Sequence, residues 1–160
     1  MLIIEKSCIK LLIYCISAFK NHERLHSFNQ VTDRWPEKEV VDFTLFSPHL
    51  VKLTLNDFRF EQDPMSQLEK LPKLRVLELF NAIIEADGKQ MICSRGGFSR
   101  LQRLLLSVDN LKEWKIEGGA VCPCSSLNQL VLKCFLLQIV PDLQYWPTFK
   151  SSVLMIIWIR

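Results

Sequence analysis

Six cysteines, three histidines and two glycine pairs are the residues of this chain that could do chemistry. Cys8, Cys15, His22 and His26 can be drawn as a zinc site, with the histidines one helical turn apart. The two cysteines are seven positions apart, however, and a zinc knuckle wants two to four intervening residues. His22 and His26 also sit among Asn21, Glu23 and Arg24, the composition of a solvated loop or helix face. Cys122-Pro123-Cys124 is too tight for a relaxed disulfide and reads as a turn. Gly96-Gly97 and Gly118-Gly119 are not phosphate cradles, because no Lys-Ser or Lys-Thr follows and no GxxxxGK occurs. His49 has no Cys, Ser or acidic partner at a catalytic spacing, and Asp57, Glu61 and Asp63 fall on a loop and a helix start, where they cap and solvate. No catalytic residue, metal site or cofactor is expected. The chain reads as a non-enzyme.

Composition narrows the classes further. In 160 residues, 49% apolar and 23% charged, there is room for one domain with a real core and no sign of wholesale disorder. Twenty Lys and Arg face 17 Asp and Glu, and the excess lies entirely after residue 49, which is far from a nucleic-acid binder's clustered basic surface. The cysteines form no CxxC pair, and none of the asparagines begins a glycosylation sequon, so a reducing, cytoplasmic compartment is the simpler reading. Lys6 and Lys10 ahead of Leu11-Leu12-Ile13-Tyr14-Cys15-Ile16, with Ser17-Ala18 after it, resemble a weak signal peptide. Glu5 among those charges and Lys20 closing the run argue instead for a buried strand. The run is also short of the roughly 20 residues that span a bilayer.

The elements that would position any functional surface come from a repeat. Leu50-x-x-Leu53-x-Leu55-x-x-Phe58-x-Phe60 returns as Leu74-x-x-Leu77-x-Leu79-x-x-Ala82-x-Ile84. It returns again as Leu101-x-x-Leu104-x-Leu106-x-x-Asp109-x-Leu111 and as Leu127-x-x-Leu130-x-Leu132-x-x-Phe135-x-Leu137. Steps of 24, 27 and 26 residues fall in the range of leucine-rich repeats. Leucines two apart on a strand point to one side, so each repeat presents them to a shared core that only stacking can bury. The predicted fold is α/β, a leucine-rich-repeat solenoid: a curved parallel β-sheet with an irregular or short-helical outer side, about four clear repeats and degenerate ends. Between strands, Asp63-Pro64-Met65 reads as a helix cap and first turn, with Leu68 and Leu71 facing the core and Pro72 ending it.

The frame decays on either side. Val40-x-x-Phe43-x-Leu45 is a fragment of an earlier repeat only ten residues before Leu50, and after Leu137 the registers starting at Phe149 and at Val153 compete. Three zones follow: residues 1–46, a degenerate upstream repeat or poorly defined N-terminal segment; residues 47–145, the repeats; and residues 146–160, a degenerate, truncated final repeat. Without polar terminal caps, the free chain is expected to be marginally stable or sticky.

Residues outside the leucine frame carry a family resemblance. Ser47-Pro48-His49-Leu50 resembles a PPHL-x-x-L-x-L segment, Glu61-Gln62-Asp63-Pro64-Met65 with Leu68-Glu69-Lys70-Leu71 resembles EEDPM-x-x-LEKL, Met91-Ile92-Cys93-Ser94-Arg95-Gly96-Gly97-Phe98 resembles MVCS-x-GGF, and Leu111-Lys112-Glu113-Trp114 resembles LEEW. Together they resemble the C-terminal leucine-rich repeats of plant coiled-coil nucleotide-binding disease-resistance proteins. Residues around Cys122–Ser126 are an insertion relative to that pattern, and Val140-Pro141-Asp142-Leu143-Gln144-Tyr145 lacks its glycine. The coiled coil and P-loop of such receptors are absent from this sequence, so the resemblance implies an interaction module of innate immunity and no ATPase. It implies a cytoplasmic location, extending to the periphery of the plasma membrane. It also implies a protein partner: a pathogen effector, a guarded host protein or the nucleotide-binding domain of a related receptor. A leucine-rich-repeat substrate adaptor for ubiquitination and a non-functional receptor remnant are the alternatives.

On the repeat reading, the inner face is built from residues that alternate with the core leucines: Lys52, Thr54 and Asn56; Val76, Glu78 and Phe80; Arg103, Leu105 and Ser107; Gln129, Val131 and Lys133. Val76, Phe80, Leu105 and Val131 place an apolar cluster on an otherwise polar face, a common mark of a protein contact. Trp114 is expected to fill the outer core rather than touch a partner.

Overall fold

The computed structural model describes residues 2–5, 26–31, 42–85, 87, 89–117 and 126–141. Six parallel strands run side by side in chain order: β1 (Leu2–Glu5), β2 (Ser27–Val31), β3 (Lys52–Asn56), β5 (Val76–Ile84), β7 (Arg103–Val108) and β9 (Gln129–Leu132). A two-residue strand, β4 (Arg59–Phe60), pairs with the far end of β5. Parallel neighbours need a crossover between them, and the described crossover segments lie on the opposite side of the core. There the chain forms a 3₁₀ turn (Phe43–Leu45), one helical turn α1 (Met65–Leu68), and a second parallel pair, β6 (Gln90–Cys93) with β8 (Glu113–Ile116). Glu113 continues that second sheet through a parallel bridge to Ile139. The result is the expected leucine-rich-repeat solenoid, with an outer side that is helical in one repeat and extended in the next two.

The leucine frame sets the register. Leu53, Leu77, Leu104 and Leu130 stand opposite one another, as do Leu55, Leu79, Leu106 and Leu132, and all eight are buried. Leu50, Leu74, Leu101 and Leu127 close the core from below.

Past the strands the frame needs correcting. Asp57 and Asn81 adopt left-handed backbone angles (φ 52° and 50°), a conformation that Asn and Asp tolerate better than most residues, and Asn81 Nδ2 donates to Asp57 Oδ1 at 3.2 Å. That extra residue delivers Phe58 and Ala82 to the core three positions after the last leucine. The next repeat has no such residue: Val108 pairs with Ala82 and is buried, while Asp109 is exposed. Cys134 plays the same part after Leu132, so Phe135 projects outward at 51% exposure instead of filling the core. Upstream, Phe43 lies on the outer 3₁₀ turn rather than on a strand. The strand preceding β3 is β2, with Phe28 opposite Leu53.

The outer side is stitched from one repeat to the next by carboxylates. Just ahead of α1, Asp63 Oδ1 accepts from the Met65 N–H (2.9 Å), and its Oδ2 accepts from the Ile92 N–H of the following repeat (2.6 Å). Burial raises the Asp63 carboxyl above its ordinary value in spite of these bonds, and the nearby Glu69 charge adds to the rise. Glu69 accepts from both the N–H and the hydroxyl of Ser94. A β-carbon on Gly97 would run into that same carboxylate. Gly97→Ala is therefore expected to cost about 1–2 kcal/mol: losing the Ser94 bonds outweighs the ~0.4–1 kcal/mol that alanine recovers from the unfolded chain. In a Glu69→Ala background the same substitution should be neutral or stabilising. A double-mutant cycle by urea denaturation reads the difference, and equal costs in both backgrounds would refute the clash.

Candidate functional site: the concave face

Because side chains alternate across a strand, residues between the core leucines form ladders on the opposite face. Lys52, Val76, Arg103 and Gln129 make one ladder, and Thr54, Glu78, Leu105 and Val131 make the next. Asn56 stands opposite Phe80. Ser107 and the exposed Lys133 complete the far side of the face, with the Lys133 N–H donating to the Leu106 carbonyl at 2.7 Å. Eleven of the twelve inner-face positions expected from the repeat thus lie on strands of the sheet, and Lys133 directly follows β9. Asn29 of β2, opposite Thr54, was not among them. Asn56 Nδ2 donates to its side-chain oxygen at 3.3 Å, which carries the polar face one strand further. Ser27-Phe28-Asn29 contains no leucine, so the repeat frame could not reveal it.

An acidic residue organises the middle of the face. Glu78 is only 6% exposed, accepts from the Thr54 hydroxyl (3.0 Å), and pairs with Lys52 Nζ (2.9 Å) and Arg103 Nε (3.3 Å) from the strands on either side. Lys52 and Arg103 remain partly exposed, so water screens the pairs and their net worth is modest. Their main effect is to bind three strands together, and two cations around one carboxylate leave the cluster net positive.

The apolar members divide. Leu105 (6% exposed) and Val131 (7%) are covered by their ladder neighbours, whereas Val76 and Phe80 are half-buried. Phe80 is the largest apolar side chain this face offers to a partner. Trp114, 1% exposed, fills the outer core as its sequence context predicts.

Among the described residues no group of three His, Cys, Asp or Glu side chains could hold a metal ion, and no helix is long and apolar enough to cross a membrane. Cys8, Cys15 and His22 of the drawn zinc set, the apolar run at 11–16, Cys122, Cys124 and Gly118-Gly119 lie outside the described residues. His26 is exposed, just before β2.

Cys93 and Cys134 are both buried thiols. The Cys134 Sγ donates to the Leu106 carbonyl at 3.5 Å, and burial, with a smaller push from the Asp109 charge, raises its pKa from 9.0 to about 11. A thiol whose ionisation is delayed by folding favours the native state below pH 9, and that contribution disappears as pH rises through about 11. Wild type is expected to lose about 2–3 kcal/mol more than Cys134→Ala between about pH 8 and about pH 11.5 in urea denaturation. Parallel profiles for the two proteins would refute the assignment.

The fold is that of a leucine-rich-repeat solenoid. The repeats are homologous to a region of plant disease-resistance proteins, consistent with a fragment of an NB-LRR protein. The chain is 39% identical over 109 residues, 68% of its length, to "Probable disease resistance protein RF45" of Arabidopsis thaliana. It is 37% identical over 116 residues, 71% of its length, to disease resistance protein RPP8 and 38% identical over 107 residues, 65% of its length, to disease resistance RPP8-like protein 3, both of Arabidopsis thaliana. The matches cover 10%, 12% and 11% of those proteins, so the chain spans about a tenth of the length of the curated relatives it matches. No protein-family model matches the chain, and no solved structure matches it significantly.

Proposed function

We propose that this chain is a non-enzymatic protein-interaction module of plant innate immunity, acting in the cytoplasm or at the periphery of the plasma membrane. Its concave face contacts a pathogen effector, a guarded host protein, or the nucleotide-binding domain of a related receptor, whose switch such repeats restrain. The observation that carries this reading is the homology of the repeats to disease-resistance proteins. A solenoid face with a half-buried aromatic beside an ion-paired cluster supports it: apolar anchors ringed by polar groups are how protein contacts are built.

The test is co-precipitation of the full chain with a nucleotide-binding domain from an RPP8-type receptor. Phe80→Ala combined with Val76→Ala is expected to weaken capture about tenfold or more, with the far-ultraviolet circular dichroism of the repeats unchanged. Undiminished capture by the folded double variant would exclude the concave face. Capture of a ubiquitin-ligase adaptor subunit in its place would favour the substrate-adaptor reading.

A further inference from the structure

Stacking the repeats gathers cations that are scattered in the sequence. Val51, Arg75, Gln102 and Asn128 follow one another along the leading edge of the sheet: the Arg75 N–H donates to the Val51 carbonyl (2.8 Å), Gln102 to Arg75 (2.8 Å) and Asn128 to Gln102 (2.9 Å). One residue further into each strand lie Lys52 and Arg103. Two residues before Arg75 and Gln102 come Lys73 and Arg100, while His49 stands in the equivalent place on the first repeat, its Nδ1 2.9 Å from Lys73 Nζ. No Asp or Glu occurs in residues 47–52, 71–76, 98–103 or 126–129. Glu78, two residues further along β5 than Val76, already pairs with Lys52 and Arg103, and the other acids of these repeats' strand ends sit past the far end, at Asp57, Glu85, Asp87 and Asp109.

The leading edge is thus a basic rim across three repeats. Lys73, Arg75 and Arg100 are exposed, and neither arginine has an ion pair among the described residues. We infer that this rim docks an acidic polypeptide segment of a partner protein. The inference rests on the reading of the chain as a protein-binding module and adds the chemistry of what it binds. Unpaired guanidinium groups are pre-organised to take carboxylates bidentately. Strands β3 to β7 place the rim's cations within about 10 Å of one another, the scale of a few residues of peptide. A long polyanion fits poorly, because the acidic edge lies only about 17 Å away, one five-residue strand across the same face, and would repel a duplex or an anionic bilayer that overran the rim.

The experiment titrates the full 160-residue chain into a fluorescein-labelled peptide of alternating Glu and Ser, with a Gln-for-Glu peptide as control, and follows anisotropy. Saturable binding that prefers the Glu peptide and weakens about tenfold as salt is raised is expected. Arg75→Glu with Arg100→Glu should weaken it about tenfold or more, Arg75→Gln with Arg100→Gln should weaken it less, and Ile92→Ala, on the outer strand β6, should leave it unchanged. Both arginines are exposed, so thermal unfolding of the variants should match wild type and exclude misfolding as the cause. Equal affinity for the two peptides, indifference to charge reversal, or tighter binding to a DNA duplex or to phosphatidylserine vesicles would overturn the inference. Because Phe80 and the arginines are varied separately, failure here leaves the concave-face experiment independently readable.

Discussion

Replacing Trp114 with alanine is expected to destabilise the repeats by about 3–5 kcal/mol, the range for deleting a fully buried large aromatic. The indole is in β8, opposite Met91 of β6, and both side chains are buried. The Trp114 backbone N–H donates to the Ile139 carbonyl at 2.8 Å, so three successive crossovers meet at this residue. A solenoid turn packs only against its neighbours, and no distant element can collapse into the space left by the indole. Ile92, on the adjacent strand but 40% exposed, supplies the control: Ile92→Ala should stay within about 0.5 kcal/mol. Urea denaturation of the two variants checks this. If Trp114→Ala costs less than about 1 kcal/mol, the outer sheet is not part of the cooperative core. A lower denaturant slope with a preserved midpoint would instead show that one end of the solenoid melts alone.

The concave sheet was legible because its cause is periodic. Leucines two apart, recurring after each crossover, determine which strands pair, in what order and in what register, and the inner-face residues follow from alternation alone. What lay beyond the leucines depends on single backbone angles that no repeat frame expresses. A left-handed Asp57 or Asn81 moves the next core residue by one position, and its absence brings Val108 and Cys134 inward while leaving Asp109 and Phe135 outside. The family-like motifs between strands were visible as letters, but their physical role emerges only across repeats. Asp63 reaches the Ile92 N–H, and Glu69 holds Ser94 against a turn that Gly97 keeps free of a side chain. The basic rim was hidden for a similar reason: its charges come from successive repeats, Arg75 and Arg100 being 25 residues apart, and become neighbours only when the repeats stack.

The second large effect concerns the end where the leucine frame fades. Phe43 stacks on Phe46 with ring centroids 5.6 Å apart, and lies 6.3 Å from Phe58 and 6.0 Å from Phe60. Phe46 in turn meets Phe28 of β2 edge-on at 5.2 Å. The Phe43 N–H also donates to Gln67 Oε1 (2.9 Å), which ties the 3₁₀ turn to α1. Aromatics here take the place of leucines, and they join β2 to the regular repeats. Phe43→Ala is expected to cost about 3–4 kcal/mol, whereas Phe43→Leu, which retains much of the volume, should cost less than about 1.5 kcal/mol. Hydrogen exchange should locate the damage, with protection falling first in Ser27–Val31 and Lys52–Asn56 and persisting in Arg103–Val108. Asn29 and Thr54 belong to the strands that loosen, so the variant should also lose the polar end of the concave face while retaining Leu105 and Val131. Uniform loss of protection across all strands would instead make the solenoid a single cooperative unit, in which the aromatic end supports the distant Arg103–Gln129 pairing as strongly as its own.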